Sequence, residues 1–378
     1  MTYSSATTPP FFPYRGVLVR AAGAILVAGA CFALLRSRFA GIAPDDLMDA
    51  FASIGLSSVA LALCLGVVSH LALSGYDMLA LSRLGLYVPW RRALAGGFVG
   101  MVAAQVVGFG LVTGSLARGR IYRANGLQGV QIAALSGLVT AGFFAGVGLS
   151  LAVLLCIDPA PAERAFGMDA GLVRIAALIV LALTVTLVAI GRKAESIRVL
   201  SVRFRPPDVG WLWKATVLAL ADTVPAALCL AVLLPSEALP SLPTFVAIYL
   251  MALTLGHVAN LPGGVGPFEA MLLVALPDVP IEAMTAGIIA YRIVYFCPPA
   301  LLAIVLLVRA RKPVRHEPAR RGVTLDRVRW LADGAGQAEA ALLELGDKYV
   351  YAPAACRAFA MYGVGPGTWL MLGDPIGP

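Results

Sequence analysis

The sequence predicts an all-α polytopic membrane protein with about six spanning helices, two re-entrant hairpins and a short α/β unit at its C-terminus. Of its 378 residues, 60% are hydrophobic and only 13% are charged, and the mean hydropathy is +0.85. Apolar stretches repeatedly exceed the roughly 18 residues that mark a membrane span. Glycine and proline interrupt two further apolar stretches, which indicates helices broken within the membrane.

Six stretches are long and apolar enough to cross a membrane as helices. They cover residues 16–35, 56–82, 128–157, 172–191, 214–234 and 284–308. The first follows Arg15 and is longer than the hydrophobic region of a typical secretory signal peptide, so we expect a retained anchor. The chain is thereby divided into four expected regions. They are a cytoplasmic N-terminal segment (1–15), a transmembrane domain (16–312), a basic linker (313–323) and the incomplete beginning of a soluble domain (324–378).

Two further apolar stretches, 93–117 and 244–277, are assigned from the distribution of basic residues. Lys and Arg near the ends of spans accumulate on the cytoplasmic side of a membrane. If 93–117 crossed the bilayer, the basic clusters before and after it would lie on opposite faces. A hairpin that enters and leaves on one side keeps both clusters cytoplasmic. The stretch 244–277 must likewise return to the outer side, so that the following span ends in the cytoplasm at Arg309, and it is therefore a second hairpin. With both termini cytoplasmic, 20 of the 29 Lys and Arg lie in cytoplasmic loops and four lie outside.

Each hairpin has a glycine-rich stretch at its expected tip. The second contains P-G-G-V-G at 262–266, and the first contains Gly108, Gly110 and Gly114. Irregular backbone at membrane depth leaves N–H and C=O groups unpaired unless protein or a water-filled cavity satisfies them. Two such segments entering from opposite faces are typical of transporters with a site near the bilayer midplane. A glycine-rich helix that packs closely on its neighbours is the alternative for 93–117.

Six ionisable residues are expected at membrane depth, where each costs on the order of 3 kcal/mol to bury. They are His70, Asp77, Asp222, His257, Glu269 and Arg292. Arg292 lies too deep in the last span to reach water easily, so it needs a carboxylate or a phosphate as partner. Asp222 and Glu269 are the nearest acids in the expected topology, which leaves a structural ion pair and a phosphate site as alternatives. The isolated histidines favour polar contacts between helices over catalysis.

The six cysteines indicate neither a metal site nor a disulfide framework. They are Cys31, Cys64, Cys156, Cys229, Cys297 and Cys356. They form no C-x-x-C pair and five lie in apolar stretches, which is typical of small core residues. We expect no metal and no cofactor, and the sequence identifies no catalytic residue.

Two motifs carry a resemblance to a known family. The run G-S-L-A-R-G-R-I-Y-R-A-N-G-L at 114–127 is similar to the glycine-arginine-tyrosine motif of the bacterial lysylphosphatidylglycerol synthase/flippase family, also called multiple peptide resistance factor. The run P-G-G-V-G-P-F-E at 262–269 resembles the second signature of this family. The resemblance covers about residues 10–312. It implies a domain in the bacterial cytoplasmic membrane that translocates lysyl- or alanyl-phosphatidylglycerol, so that a less negative membrane surface resists cationic antimicrobial peptides.

The motifs and the membrane-depth residues together give the expected lipid-binding and translocation site. Its residues are Arg118, Arg120, Tyr122, Arg123, Asp222, His257, Asn260, Pro262, Gly263, Gly264, Gly266, Glu269 and Arg292. The arginines at 118, 120 and 123 are expected at the cytoplasmic mouth, where they either collect an anionic headgroup or only set the topology. The expected partner is an anionic phospholipid, namely phosphatidylglycerol or its aminoacyl derivative. Self-association into a homo-oligomer is left open.

The polar tail that begins at Gly322 indicates the start of a soluble unit. An alanine-rich stretch is followed by alternating apolar residues around G-P-G-T, a pattern typical of a β-hairpin. This tail resembles the beginning of the family's cytoplasmic, acetyltransferase-like aminoacyltransferase domain, which takes its amino acid from aminoacyl-tRNA. About 57 residues are too few for a core of that size. The resemblance therefore implies that most of the transferase domain is absent here.

Three functions follow as expectations. The first is a lipid-translocating membrane domain of an aminoacyl-phosphatidylglycerol system. The second is a phosphatidylglycerol aminoacyltransferase that uses aminoacyl-tRNA only through a complete transferase domain. The third is a non-catalytic membrane scaffold, and whether the chain itself is an enzyme stays open. For the basic residues between 309 and 321, topology and contact with anionic lipid are favoured over tRNA binding.

Overall fold

The computed structural model describes residues 43–191, 197–199, 202–204, 208–259, 262–310, 349–351, 359–365 and 368–376. The chain divides into two compact units. The first comprises residues up to Tyr122 together with Gln128–Arg309, and the second comprises Arg123–Leu127 and Ala310–Pro378. The predicted first span, 16–35, and the predicted linker, 313–323, lie outside the described residues.

The described part of the first unit is built almost entirely of α-helices. They are α1 (Pro44–Ala52), α2 (Leu56–Leu84), α3 (Trp90–Val107), α4 (Gly110–Tyr122), α5 (Gly129–Ile157), α6 (Ala160–Phe166), α7 (Ala170–Gly191), α8 (Val209–Ala231), α9 (Leu242–Val258), α10 (Pro267–Ala275) and α11 (Ile281–Arg309). Two 3-10 turns cover Ser236–Ala238 and Pro262–Gly264. Between α7 and α8, the short antiparallel strands β1 (Ile197–Val199) and β2 (Val202–Phe204) pair with Arg198 opposite Arg203.

Five of the described helices, α2, α5, α7, α8 and α11, are long and apolar enough to cross a membrane. They correspond to five of the six predicted spans, and they confirm an all-α polytopic membrane protein. Helix α7 is the most exposed of the five, because only Val173, Ala177 and Val188 of its side chains are buried. Most of its exposed side chains are leucine, isoleucine and valine, as expected of a helix that faces lipid.

The start of α8 differs from the predicted boundary at residue 214. Asp208 caps the helix, since its Oδ1 accepts a hydrogen bond of 2.7 Å from the Trp211 backbone N–H. Arg83, at the end of α2, contacts the same carboxylate at 2.7 Å. The hydrogen bonds from Arg83 and then from Trp211 lower the pKa of Asp208 below its usual value. This cap lies outside the membrane span and fixes the beginning of α8 five residues before the predicted boundary.

Each of the two stretches predicted as hairpins consists of two helices joined by a break in the backbone. In the first, α3 packs along α4, and the break falls at Gly108 and Phe109, whose φ angles are 78° and 48°. In the second, α9 packs against α10, and Gly263, Gly264 and Gly266 have φ angles of 61°, 65° and 97°. Left-handed backbone of this kind favours glycine. The alternative of one continuous packing helix over 93–117 is therefore wrong.

Small residues allow the central helices to approach closely. Helix α8 packs between α2 and α5. At Gly146 of α5, an added Cβ atom would lie 2.6 Å from the Ala215 carbonyl oxygen of α8. Such close contacts between helix backbones are the usual means of packing where lipid replaces water. Helix α8 is thereby held at the centre of the bundle, where it carries Asp222.

The described strands of the second unit form one antiparallel sheet in the order β3 (Tyr349–Tyr351), β4 (Phe359–Gly365) and β5 (Thr368–Ile376). Strands β4 and β5 are the β-hairpin expected around G-P-G-T, with Gly365 opposite Thr368. Phe359 and Met361 of β4 are fully buried. The alanine-rich stretch that precedes these strands in the chain lies outside the described residues.

Candidate functional site

The two broken segments line the same cavity in the first unit. Gly108, Phe109 and Gly110 contribute from the first break, and Gly263 and Gly264 contribute from the second. The cavity has a volume of about 180 Å³. The Pro262–Gly264 turn also packs against α3, so the two hairpins meet. The irregular backbone of both breaks therefore faces a cavity, as the physical argument requires.

Part of the cavity wall is aromatic. Tyr291 of α11 stacks on Phe268 at 6.0 Å and on Tyr295 at 5.0 Å between ring centroids. The hydroxyl of Tyr291 lies 2.7 Å from that of Tyr249 on α9, so these two buried polar groups satisfy each other. Polar atoms along an aromatic wall suit a molecule with both charged and apolar parts.

Arg292 of α11 pairs with Glu269 of α10. Its Nε lies 3.1 Å from Glu269 Oε1, its Nη2 donates to the same oxygen, and its Nη1 donates to the carbonyl of Gly263. The side chains of Arg292 and Glu269 are 19% and 10% exposed. Of the two predicted acids, Glu269 is thus the partner, and the structural ion pair is formed. Arg292 thereby also provides a hydrogen-bond donor for the Gly263 carbonyl, which the break in the helix leaves without a backbone partner.

Glu269 fixes the other side of the break. Its Oε2 accepts a hydrogen bond of 2.6 Å from the Gly266 backbone N–H at the start of α10. The guanidinium of Arg292 also lies over the rings of Phe268, at 5.3 Å, and Phe296, at 5.1 Å. Each such cation–π contact is worth roughly 0.5–1 kcal/mol. The hairpin tip is therefore held by one connected set of polar contacts.

The second buried ion pair joins Arg118 of α4 to Asp77 of α2. Arg118 Nη2 lies 2.8 Å from Asp77 Oδ1, and Arg118 Nε lies 2.9 Å from Oδ2. The side chains are 2% and 0% exposed. Tyr122 donates to Asp77 Oδ2 at 2.6 Å and approaches the Ala93 carbonyl at 3.0 Å. At Gly100 of α3, an added Cβ would lie 2.7 Å from the Arg118 side chain, so this position leaves room for the guanidinium.

The three motif arginines differ in their surroundings, because one is buried in an ion pair and two are exposed. Arg118 lines the cavity, but its guanidinium is buried against Asp77 and is not exposed. Arg120 is exposed at the end of α4. Arg123 is exposed too and begins the turn Arg123–Asn125, which belongs to the second unit. The role of Asp77 was missed by sequence reasoning, since its partner is 41 residues away and no local spacing indicates it.

Asp222 of α8 lines the cavity without an ion-pair partner. It is 3% exposed, and its Oδ1 accepts a hydrogen bond of 2.5 Å from the hydroxyl of Ser69 on α2. The Ser69 hydroxyl lies 2.7 Å from that of Tyr295. Among the residues that the structure describes, the ion pairs are those of Arg83, Arg118 and Arg292, and none includes Asp222. The alternative partnership with Arg292 is not formed.

The two histidines hydrogen-bond within their own helices. His70 Nδ1 lies 2.8 Å from the Gly66 carbonyl, and His257 Nδ1 lies 2.9 Å from the Leu253 carbonyl. Their contacts between helices are made by the rings, at 4.6 Å from Tyr295 for His70 and 5.2 Å from Phe143 for His257. The expectation of polar contacts between helices is thus corrected, although His257 does line the cavity. Within the described ranges, no group of three His, Cys, Asp or Glu side chains could hold a metal ion.

The remaining predicted residues lie at the second break. An added Cβ at Gly264 would lie 3.1 Å from Gly256 Cα, so α9 and the tip touch through two glycines. An added Cβ at Gly263 would lie 2.9 Å from Arg292 Nη1. Pro262 begins the 3-10 turn, and Asn260 lies outside the described residues. Glycine at these positions is therefore required by contacts as well as by φ.

Comparison with known proteins identifies distant relatives. No protein-family model matches this chain. It is 26% identical over 281 residues to an uncharacterized protein of Synechocystis sp., which covers 73% of this chain and 86% of that protein. It is also 25% identical over 284 residues to the phosphatidylglycerol lysyltransferase of Staphylococcus haemolyticus and 24% identical over 289 residues to that of Staphylococcus aureus. These matches cover 73% and 72% of this chain.

The chain spans 32% of the length of each of these two lysyltransferases. The similarity therefore reaches most of this chain but only about a third of those proteins. The chain is a helical membrane protein distantly homologous to phosphatidylglycerol lysyltransferases.

Proposed function

We propose that the first unit is the lipid-translocating domain of an aminoacyl-phosphatidylglycerol system. It moves lysyl- or alanyl-phosphatidylglycerol across the bacterial cytoplasmic membrane, which lowers the negative surface charge that attracts cationic antimicrobial peptides. The single observation that carries this proposal is that two broken membrane segments line one cavity. The lipid class is supported by two of the relatives described above, which are phosphatidylglycerol lysyltransferases.

Arg292 is the proposed phosphate-binding group. A guanidinium has five N–H donors, and the contacts with Glu269 and Gly263 use one each on Nε, Nη1 and Nη2. One N–H on each terminal nitrogen is left for a ligand, and Arg292 lines the cavity. The structural pair and the phosphate site are therefore compatible, because Glu269 orients the guanidinium while the outer donors bind a phosphate oxygen.

The proposed orientation places the N-terminus, the end of α4 and the tail in the cytoplasm. Arg120 is exposed at the end of α4 and meets the anionic cytoplasmic leaflet in this orientation. The exposed Arg164, in the loop helix α6, then lies outside. In this arrangement, lipid enters from the side where phosphatidylglycerol would be aminoacylated.

A second candidate function is aminoacyl transfer to phosphatidylglycerol. The observation in its favour is the β3–β4–β5 sheet of the second unit, which follows the membrane unit in the chain. The relatives that are named lysyltransferases are about three times longer than the matched part. We propose this activity only for a complete transferase domain that takes its amino acid from aminoacyl-tRNA.

The test is lipid translocation in vesicles that contain the purified chain. Fluorescent lysyl-phosphatidylglycerol is placed in one leaflet, and its appearance in the other is followed by chemical quenching. We expect the chain to accelerate the movement and Arg292→Ala to slow it at least tenfold. Arg174→Ala, which removes an exposed arginine on α7, is the matched control and keeps the wild-type rate. A rate equal to that of empty vesicles would instead favour a scaffold.

A further inference from the structure

Asp222 differs from the other buried acids of the cavity region in the kind of partner it has. Asp77 is neutralised by Arg118, and Glu269 is neutralised by Arg292. Asp222 is buried as deeply, yet within the described ranges no arginine, lysine or histidine nitrogen lies within 4.0 Å of its carboxylate. It lines the cavity, so a ligand in the cavity can reach it.

Two hydroxyl groups in sequence, those of Tyr295 and Ser69, lead to the carboxylate of Asp222. Ser69 has one hydroxyl proton, which it donates to Asp222 Oδ1 at 2.5 Å. Ser69 must then accept at its 2.7 Å contact with Tyr295, so the Tyr295 proton points to Ser69. The Ser69 proton thus points to the acid and the Tyr295 proton points to Ser69, an arrangement that stabilises the negative charge of Asp222. Neither hydroxyl supplies the positive charge that the other two acids receive from arginine.

We infer that Asp222, together with Ser69 and Tyr295, forms a binding site for one monovalent cation at the wall of the cavity, which Asp222 and Tyr295 line. A carboxylate and two hydroxyls are oxygen ligands, which suit hard cations and primary ammonium groups. One positive charge neutralises Asp222, as one arginine neutralises each of the other acids. Three sources supply this chemistry: a proton, an alkali cation, and the ammonium group of an aminoacyl headgroup. The inference goes beyond lipid translocation and does not rest on it.

The surroundings of Asp222 contain no competing uncompensated charge among the described residues. Helix α8 packs against α2, α5, α9 and α11. The titratable and charged side chains of these helices that are buried or line the cavity are His70, Tyr76, Asp77, Tyr249, His257, Tyr291, Arg292 and Tyr295. Helix α5 contributes no acid, base or tyrosine. Asp77 and Arg292 are each paired, and each histidine has its Nδ1 on a carbonyl.

The test measures cation binding through stability, using the full chain in phosphatidylcholine nanodiscs without anionic or aminoacylated lipid. The unfolding temperature is recorded at constant ionic strength while choline is replaced by sodium or by methylammonium, and in choline between pH 8 and pH 5. We expect at least one of the three cations to raise the wild-type unfolding temperature saturably, since a ligand of the native state stabilises it. The cation that does so identifies the source.

Asp222→Asn is expected to lose this response, while Asp278→Asn, which changes an exposed loop acid, keeps it. Ser69→Ala and Tyr295→Phe retain the carboxylate, so they are expected to weaken the apparent affinity severalfold without abolishing the response. Equal responses of wild type and Asp222→Asn to all three cations would overturn the inference. If Asp222→Asn does not fold, unchanged affinity in both hydroxyl variants would overturn it. Since the discs hold no translocated lipid, failure of lipid transport would leave this result unaffected.

Discussion

Replacing Arg292 with alanine is the perturbation that separates a structural from a functional role most sharply. The change removes the ion pair with Glu269, the hydrogen bond to the Gly263 carbonyl and two ring contacts. Breaking a buried pair costs about 3–5 kcal/mol, because the remaining charge is uncompensated. The 19% and 10% exposure of the two side chains favours the lower end of this range. We expect a loss of about 3 kcal/mol in the free energy of unfolding.

The double variant Arg292→Ala/Glu269→Gln distinguishes the two roles. Neutralising Glu269 removes the stranded charge, so we expect recovery of about half of the lost stability. The Gly263 carbonyl stays without its donor, which accounts for about 1–2 kcal/mol of the remainder. Unfolding is measured by denaturant titration in detergent, and lipid translocation is measured in vesicles with the same preparations.

We expect the translocation rate to depend on whether the guanidinium is present and not on the free energy of unfolding of the variant. The double variant stays as slow as Arg292→Ala, because no phosphate ligand has been restored. Arg292→Lys recovers the rate only partly, since an ammonium group cannot reproduce two parallel donors. Glu269→Gln alone serves as the control that keeps Arg292 while loosening its orientation. Full recovery of translocation in the double variant would refute the phosphate-site reasoning.

Three further predictions follow from other contacts. Arg118→Ala leaves Asp77 charged and fully buried, so we expect a loss of about 4 kcal/mol in the free energy of unfolding. Adding Asp77→Asn is expected to restore most of this loss, whereas a loss below about 1 kcal/mol in the single variant would contradict the pairing. Gly264→Ala introduces a side chain at a φ of 65° and against Gly256, so we expect the folded state to lose about 1–3 kcal/mol of stability. The variant chain should still insert into the membrane but translocate lipid more slowly, and wild-type stability would contradict the close contact. In a cysteine-free background, a membrane-impermeant thiol reagent added outside cells should label Arg164→Cys but not Arg120→Cys, and the reverse pattern would invert the proposed orientation.

The spans and the breaks were predictable because they depend on local sequence. Apolar length identified the five described spanning helices, and proline and glycine identified the second break, where three glycines have left-handed φ angles. The first break was less evident, since Phe109 is a non-glycine residue with positive φ. Its conformation depends on the packing of α3 along α4, which local sequence does not determine.

The contacts that build the cavity were predicted only in part, because they join residues far apart in the chain. Arg292 and Glu269 are 23 residues apart, and their pairing was among the alternatives. The Ser69–Asp222 contact spans 153 residues and joins α2 to α8, so only the packed helix bundle brings the two groups together. Ser69 carries no charge and was not singled out in the sequence. Depth in the membrane can be estimated from a sequence, whereas the choice of partner depends on the helix packing.

The most direct test of the central claim, that lipid headgroups pass through the cavity between the two breaks, is site-mapped photocrosslinking. Phosphatidylglycerol with a diazirine on its headgroup is activated in vesicles with the full chain, and the modified residues are identified by mass spectrometry. We predict crosslinks to the cavity-lining segments 249–257 and 291–296, reduced by excess unlabelled phosphatidylglycerol and by Arg292→Ala. Crosslinks confined to the lipid-facing surface of α7, or unaffected by competitor, would contradict the account.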